Sequence, residues 1–300
     1  MRPHVELVDE KDLMWHQAEF EHAIGQARQK NLSYDEEDGS ASLEVEFTSD
    51  WFRPAGIHDA QTEWYVLSGE VKVGEEVLGE NGYWCAPQEV QTPAISVKKG
   101  TKVLIFREYA GWGFTLTHEN AFDAKSCEGF IIKRADDMDW FDVIDPENGS
   151  PMDFERGGTP VPGLFIKLLY RDPKTGFYTR LIKAKPGWRE HPLAHHPVYE
   201  EAYCLDGYFD YNYGQMQPGQ YFFRPAGIRH GDFTAGDDTG CTWILRCDGD
   251  LVDWYTDDAS VEMKGTPVNW GEGFPGSEPP VLLQPVRSRS VGEWKDPSYQ

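Results

Sequence analysis

The chain has 300 residues, 28 basic and 51 acidic side chains, and a formal charge of −23. That surplus of negative charge argues against a nucleic-acid backbone or an anionic membrane surface as partner. The length suffices for two domains of ordinary size, and no run of it is apolar enough to span a membrane or serve as a secretory signal.

The predicted elements are short strands between turn residues. Val5–Val8 comes first, followed by Met14–Lys30, whose roughly amphipathic pattern predicts a helix. Ser42–Phe47, Glu63–Val73 and Val103–Tyr109 read as strands, and so do Thr179–Ala184, Glu201–Tyr211 and Cys241–Arg246. Glycine (30) and proline (20) punctuate them, and aromatic residues reach 14%. Many short strands with little helical periodicity predict an all-β chain, a sandwich or barrel with few short helices. The five cysteines are odd in number and lack a C-x-x-C spacing. Neither a disulfide framework nor a thiolate zinc site is therefore expected, and a reducing cytoplasmic location is.

The chain also repeats itself. Lys11-Asp-Leu-Met-Trp15 is echoed by Asp136-Asp-Met-Asp-Trp140, and Leu32-Ser-Tyr-Asp35 by Leu169-Tyr-Arg-Asp172. Glu63-Trp-Tyr-Val-Leu-Ser-Gly69 is echoed by Glu201-Ala-Tyr-Cys-Leu-Asp-Gly207, and Gly82–Pro87 by Gly219–Pro225. From Leu32 to Pro87 the offset stays at 137 or 138 residues. Two copies are expected, 1–118 and 126–255, with a polar linker at 118–128 and an extended Pro/Gly/Ser-rich tail at 265–300. One further repeat, Phe52-Arg-Pro-Ala-Gly-Ile57 against Phe223-Arg-Pro-Ala-Gly-Ile228, is out of phase with this duplication.

Ligand-type chemistry concentrates in the second copy. Between Gly187 and Gly207 stand His191, His195, His196, Glu200 and Glu201; between Gly219 and His230 stand Arg224, Pro225 and Gly227. Imidazole and carboxylate together suit a divalent transition metal. Residues two apart on a strand share a face, so one strand bearing His and Glu and a second bearing His can enclose an ion.

The pattern Gly187-x5-Leu193-x-His195-x4-Glu200-x6-Gly207 resembles the first cupin motif, and Gly219-x5-Pro225-x-Gly227-x2-His230 matches the opening of the second. The chain thus looks like a bicupin: two tandem jelly-roll β-barrels covering about 240 residues. Its wording around Glu201–Gly207 is similar to the cupins of ChrR-type anti-sigma factors. The family's first ligand His falls on Leu193 or Ala194, so it is missing. The expected ligands are His195 or His196, with Glu200 and His230, and His191 as a candidate fourth. Glu201, on the opposite face of a regular strand, Tyr203 and Arg224 are candidates to tune those ligands or assist the chemistry. The first copy is expected to be degenerate: His58 is present, but Thr62 stands for Glu200, and Gln91 or Thr92 for His230. The resemblance implies a divalent metal, Fe(II) first and Zn(II) or Mn(II) as alternatives. It implies an oxygenase acting on a small aromatic or diketone-like substrate, and pairing as a homodimer. A redox-inert lyase or isomerase, or a non-catalytic sensing module, are the competing readings.

Overall fold

Strand Ala41–Phe47 shows how the elements form. Leu43, Val45 and Phe47 alternate with Ser42, Glu44 and Glu46, the period-2 pattern that gives a pleated strand one apolar face. The structure is a computed structural model that describes residues 2–108, 112–117, 129–143, 163–249, 251 and 254–256. As expected, it is all-β. Among the described residues the only helical turns are the 3-10 turns Glu10–Asp12 and Ala135–Asp137, and no helix is long and apolar enough to cross a membrane.

Residues 14–30 are not the expected helix. They contain strand His16–Ala18 and the start of strand Ala27–Tyr34, which pair with each other. His22 (φ 61°) and Gly25 (φ 111°) take left-handed backbone between them. A Cβ on Gly25 would lie 2.4 Å from the Asp50 carbonyl oxygen, so only glycine fits this close approach. Two expected strands are each split by a turn, Glu63–Val73 at Gly69 and Glu201–Tyr211 after Gly207. The linker at 118–128, Tyr109 and the tail at 265–300 fall outside the described residues.

The chain divides into two compact units. The first is built mainly of Glu10–Asp139, the second of Pro3–Asp9 together with the described residues from Trp140 onward. This partition differs from one drawn on the duplication, because the first strand belongs with the second unit. In the first unit a seven-stranded antiparallel sheet runs in the order 131–134, 82–86, 61–68, 102–108, 41–47, 27–34, 16–18. Two smaller sheets complete it, and Phe47, Trp51, Trp64 and Trp84 fill the shared core. In the second unit the order is 5–9, 220–224, 200–207, 241–247, 178–184, 164–171, 141–142, with a five-stranded sheet opposite. The core between them holds Trp188, Phe209, Tyr211 and Phe222.

Strand Val5–Asp9 edges the second unit's sheet by pairing with Gln220–Arg224. Its register slips between Val5 and Val8, and Leu7 sits at φ 54°. A bulge of this kind bends a strand and re-aims a side chain. Here the residue beside it is Glu6, which is fully buried.

Candidate metal centre

Three strands of the second unit place the candidate ligands. Glu200 opens strand Glu200–Gly207, directly across from Arg224. His230 opens strand His230–Ala235, opposite Ala194 on strand Arg189–His195, and His196 follows that strand's end. All three side chains are buried, and one ligand atom from each lies within 4.8 Å of the others. The His196 and His230 Nε2 atoms are 3.0 Å apart. The Glu200 Oε2 atom is 3.0 Å from His230 Nε2 and 3.9 Å from His196 Nε2.

The donor set fits a cation. His230 donates its Nδ1 proton to the Ile228 carbonyl at 2.9 Å, so its Nε2 presents a lone pair. Burial, with the Arg224 charge, holds the His230 pKa below its usual value, which keeps the ring neutral. The His230 Nε2 lone pair faces a Glu200 oxygen at 3.0 Å, and a proton on His196 Nε2 would bridge only the two imidazoles. A divalent ion with bonds of about 2.1 Å turns the repulsion at that oxygen into coordination, and adjacent ligands on such an ion lie roughly 3 Å apart.

Arg224 orients Glu200, and the first strand orients Arg224. Arg224 Nη1 donates to Glu200 Oε2 at 2.8 Å. Its Nε and Nη2 donate to the two oxygens of Glu6 at 2.7 and 3.1 Å. Tyr211 donates to Glu6 Oε2 at 2.7 Å, and His4 lies against Oε1 at 2.8 Å. Burial alone would raise the Glu200 pKa, but the Arg224 guanidinium works against this and the carboxyl stays well below the usual carboxylate range. Glu6 is likewise lowered against its burial, chiefly by Arg224. Arg224, opposed by burial, is raised by Glu6 and Glu200.

Of the remaining candidates, those that are described lie outside the cluster. His195 is buried but not in the cluster; its burial, with Arg229, His196 and His230, pushes its pKa down to about 3. His191 is on strand Arg189–His195, but its side chain lies outside the described residues. Glu201 accepts hydrogen bonds from Tyr221 and Arg246, on the sheet face away from Glu200. Tyr203 shares the face of Glu201 by strand alternation. Neither borders the cavity beside the cluster, so of the three proposed assisting residues only Arg224 touches a candidate ligand. That cavity measures about 70 Å³ and is walled by Trp188, Phe209, Phe222, Phe233, Trp243 and Leu245.

The same positions in the first unit hold a different chemistry. Arg53 donates to His58 Nε2 at 2.9 Å, while Thr62 donates to the Ala60 carbonyl at 3.1 Å. Burial and the neighbouring Arg107 push Arg53 down to about 9, and burial with Arg53 and Arg107 holds His58 well below its usual value. A guanidinium thus takes the lone pair that a metal would need, and these residues do not fit an ion. The out-of-phase Phe-Arg-Pro-Ala-Gly-Ile repeat now has a physical content. In both copies its arginine ends a strand and reaches a polar group inside its own unit, His58 in one and Glu200 in the other.

A family model described as a domain of unknown function, DUF4437, matches residues 6–254, from Glu6 of the first strand to Trp254. The chain belongs to the DUF4437 family. No curated protein matches this DUF4437 chain in sequence. A crystal structure from Nostoc punctiforme, provisionally described as a dioxygenase, is 20% identical with a TM-score of 0.68, covering 86% of this chain and 88% of its own. A mutant of Bacillus subtilis oxalate decarboxylase is 16% identical with a TM-score of 0.50, covering 83% and 78%. At such identity these likenesses show the cupin jelly-roll fold.

Proposed function

We propose that the second unit is the catalytic unit of a metal-dependent enzyme, with the ion held by His196, Glu200 and His230. The observation that carries this reading is the convergence of three buried ligand-type side chains on one point at the wall of a mostly apolar cavity. The chain's own groups prepare that point. The Ile228 carbonyl fixes the His230 tautomer, Arg224 aims Glu200, and the aromatic wall excludes water. When bound, Fe(II), the ion we favour, supplies coordination positions for O2 and a small organic molecule, whereas Zn(II) or Mn(II) supplies Lewis acidity. The reading is therefore a non-heme dioxygenase for a small aromatic or diketone-like substrate. The two imidazoles and one carboxylate support it, since they leave part of an octahedral shell to the reactants.

The test is elemental analysis of purified protein followed by oxygen-electrode assays with catechols, hydroxybenzoates and β-diketones. His230→Ala is expected to lose both the bound metal and the O2 uptake, and unchanged turnover in that variant would overturn the proposal. Turnover without O2 would favour the lyase or isomerase reading. Tight metal binding with no turnover of any substrate would favour a sensing module, the reading that the likeness to anti-sigma-factor cupins supports.

A further inference from the structure

Arg180 stands on strand Tyr178–Ala184, and alternation places it on the same face as Tyr178 and Ile182. Leu245 lies directly across from both Arg180 and Ala202, so these three form one row on the inner face of the sheet. The adjoining row on that face is Tyr178, Cys247 and Glu200. Arg180 is therefore two strands from the strand of Glu200, a span of roughly 10 Å. It lines the same cavity as His196, Glu200 and His230, and it is the one Lys or Arg among the described residues that do.

This guanidinium lies 4.7 Å from the Tyr178 ring centre. Its Nε atom is buried and has no hydrogen-bond partner among the described residues, and no described carboxylate pairs with it. A buried guanidinium N–H without a partner is costly to leave unsatisfied. The planar guanidinium fork matches a carboxylate in two-point contact. A mostly apolar cavity with one such group at one side, a metal centre at the other and Glu190, which has a contact of its own, as the remaining charged lining residue orients a ligand that carries an anionic end.

We propose that Arg180 binds the carboxylate of the substrate, so that the second unit acts on a small organic acid with an apolar body. This deepens the proposed function and rests on its reading of the cavity as the substrate site. The volume of about 70 Å³ corresponds to roughly five waters at 10–15 Å³ each, so the acid is a compact one. The aromatic wall faces its carbon skeleton, and the end opposite the carboxylate faces the metal ligands.

The test uses propionate and its neutral isostere propionamide, titrated into the full chain by ligand-observed NMR, with bound metal quantified in every sample. Propionate is expected to bind about tenfold or more tightly than propionamide, a margin typical of a charge-assisted contact. Arg180→Gln is expected to erase that preference while the metal content stays as in the unaltered protein. Arg180→Lys is expected to retain part of it. Equal binding of the two probes by the unaltered protein overturns the proposal, and so does a preference that survives in Arg180→Gln. A chain that holds no metal yet prefers propionate through Arg180 would overturn the enzymatic reading and leave Arg180 as a carboxylate-binding site. If Arg180→Gln does not fold, the two probes on the unaltered protein still decide.

Discussion

Arg224 lies between two buried carboxylates, Glu6 and Glu200, and the balance between them sets how Glu200 is presented. Glu6→Gln keeps the shape but leaves Arg224 to pair with Glu200 alone, in competition with the metal. A fall in metal affinity of about 10–100-fold is expected. The double variant Glu6→Gln/Arg224→Gln removes the competitor together with the contact that aims Glu200 and is expected to recover only part of the loss, which a purely structural role for Glu6 would not allow; isothermal titration of the metal measures both. Glu6 also has a pH signature. Its folded pKa is depressed, so its contribution is present above the unfolded value near 4.3 and lost as pH falls. Acid unfolding below about pH 4.3 should accordingly be less steep in Glu6→Gln than in the unaltered chain. At this scale the sequence held more than its motif count. The cupin spacing left His195 and His196 open, yet one offset of 138 carries His58, Thr62 and Thr92 onto His196, Glu200 and His230 together. Glu6 had no such signal, because its partner Arg224 is 218 positions away.

Among the elements, strand Val5–Asp9 is the one that the site depends on without supplying a ligand. It covers the edge of Gln220–Arg224, and its bulge at Leu7 carries the strained backbone beside Glu6. A left-handed non-glycine residue costs on the order of 1–3 kcal/mol and persists where its surroundings enforce it. Removal of residues 2–9 should abolish metal retention by the second unit although His196, Glu200 and His230 are all kept, as metal analysis of the shortened chain will show. Alternating patterns made most strands legible. The misread stretch, Met14–Lys30, combines two strands with the intervening left-handed residues His22 and Gly25, and over so short a distance periods of 2 and 3.6 overlap. The echo of Lys11–Trp15 at Asp136–Trp140 has an offset of 125, unlike the later 137 or 138. That slip was the trace of a different arrangement before each repeat. Strand Ile131–Arg134 edges the first unit's sheet as Val5–Asp9 edges the second's.

For the molecule as a whole, the two units are similar antiparallel β-scaffolds with different interiors. One converges lone pairs on a point; the other puts the Arg53 guanidinium on its imidazole. The protein should hold one metal ion per chain, and His58→Asn should leave that number unchanged. The triple substitution Arg53→Ala/Thr62→Glu/Thr92→His removes the guanidinium and restores both missing donors. It should raise the stoichiometry to two, measured by elemental analysis after metal loading.

The pairing of Val5–Asp9 with Gln220–Arg224 also has a cost in time. A growing polypeptide releases this early strand long before its neighbour exists, and roughly 200 further residues must emerge first. At about 5–20 residues per second, that leaves an unpaired β-edge for roughly 10–40 s. In that interval the edge is open to annealing with another copy on the same polysome, a hazard that an acidic surplus opposes.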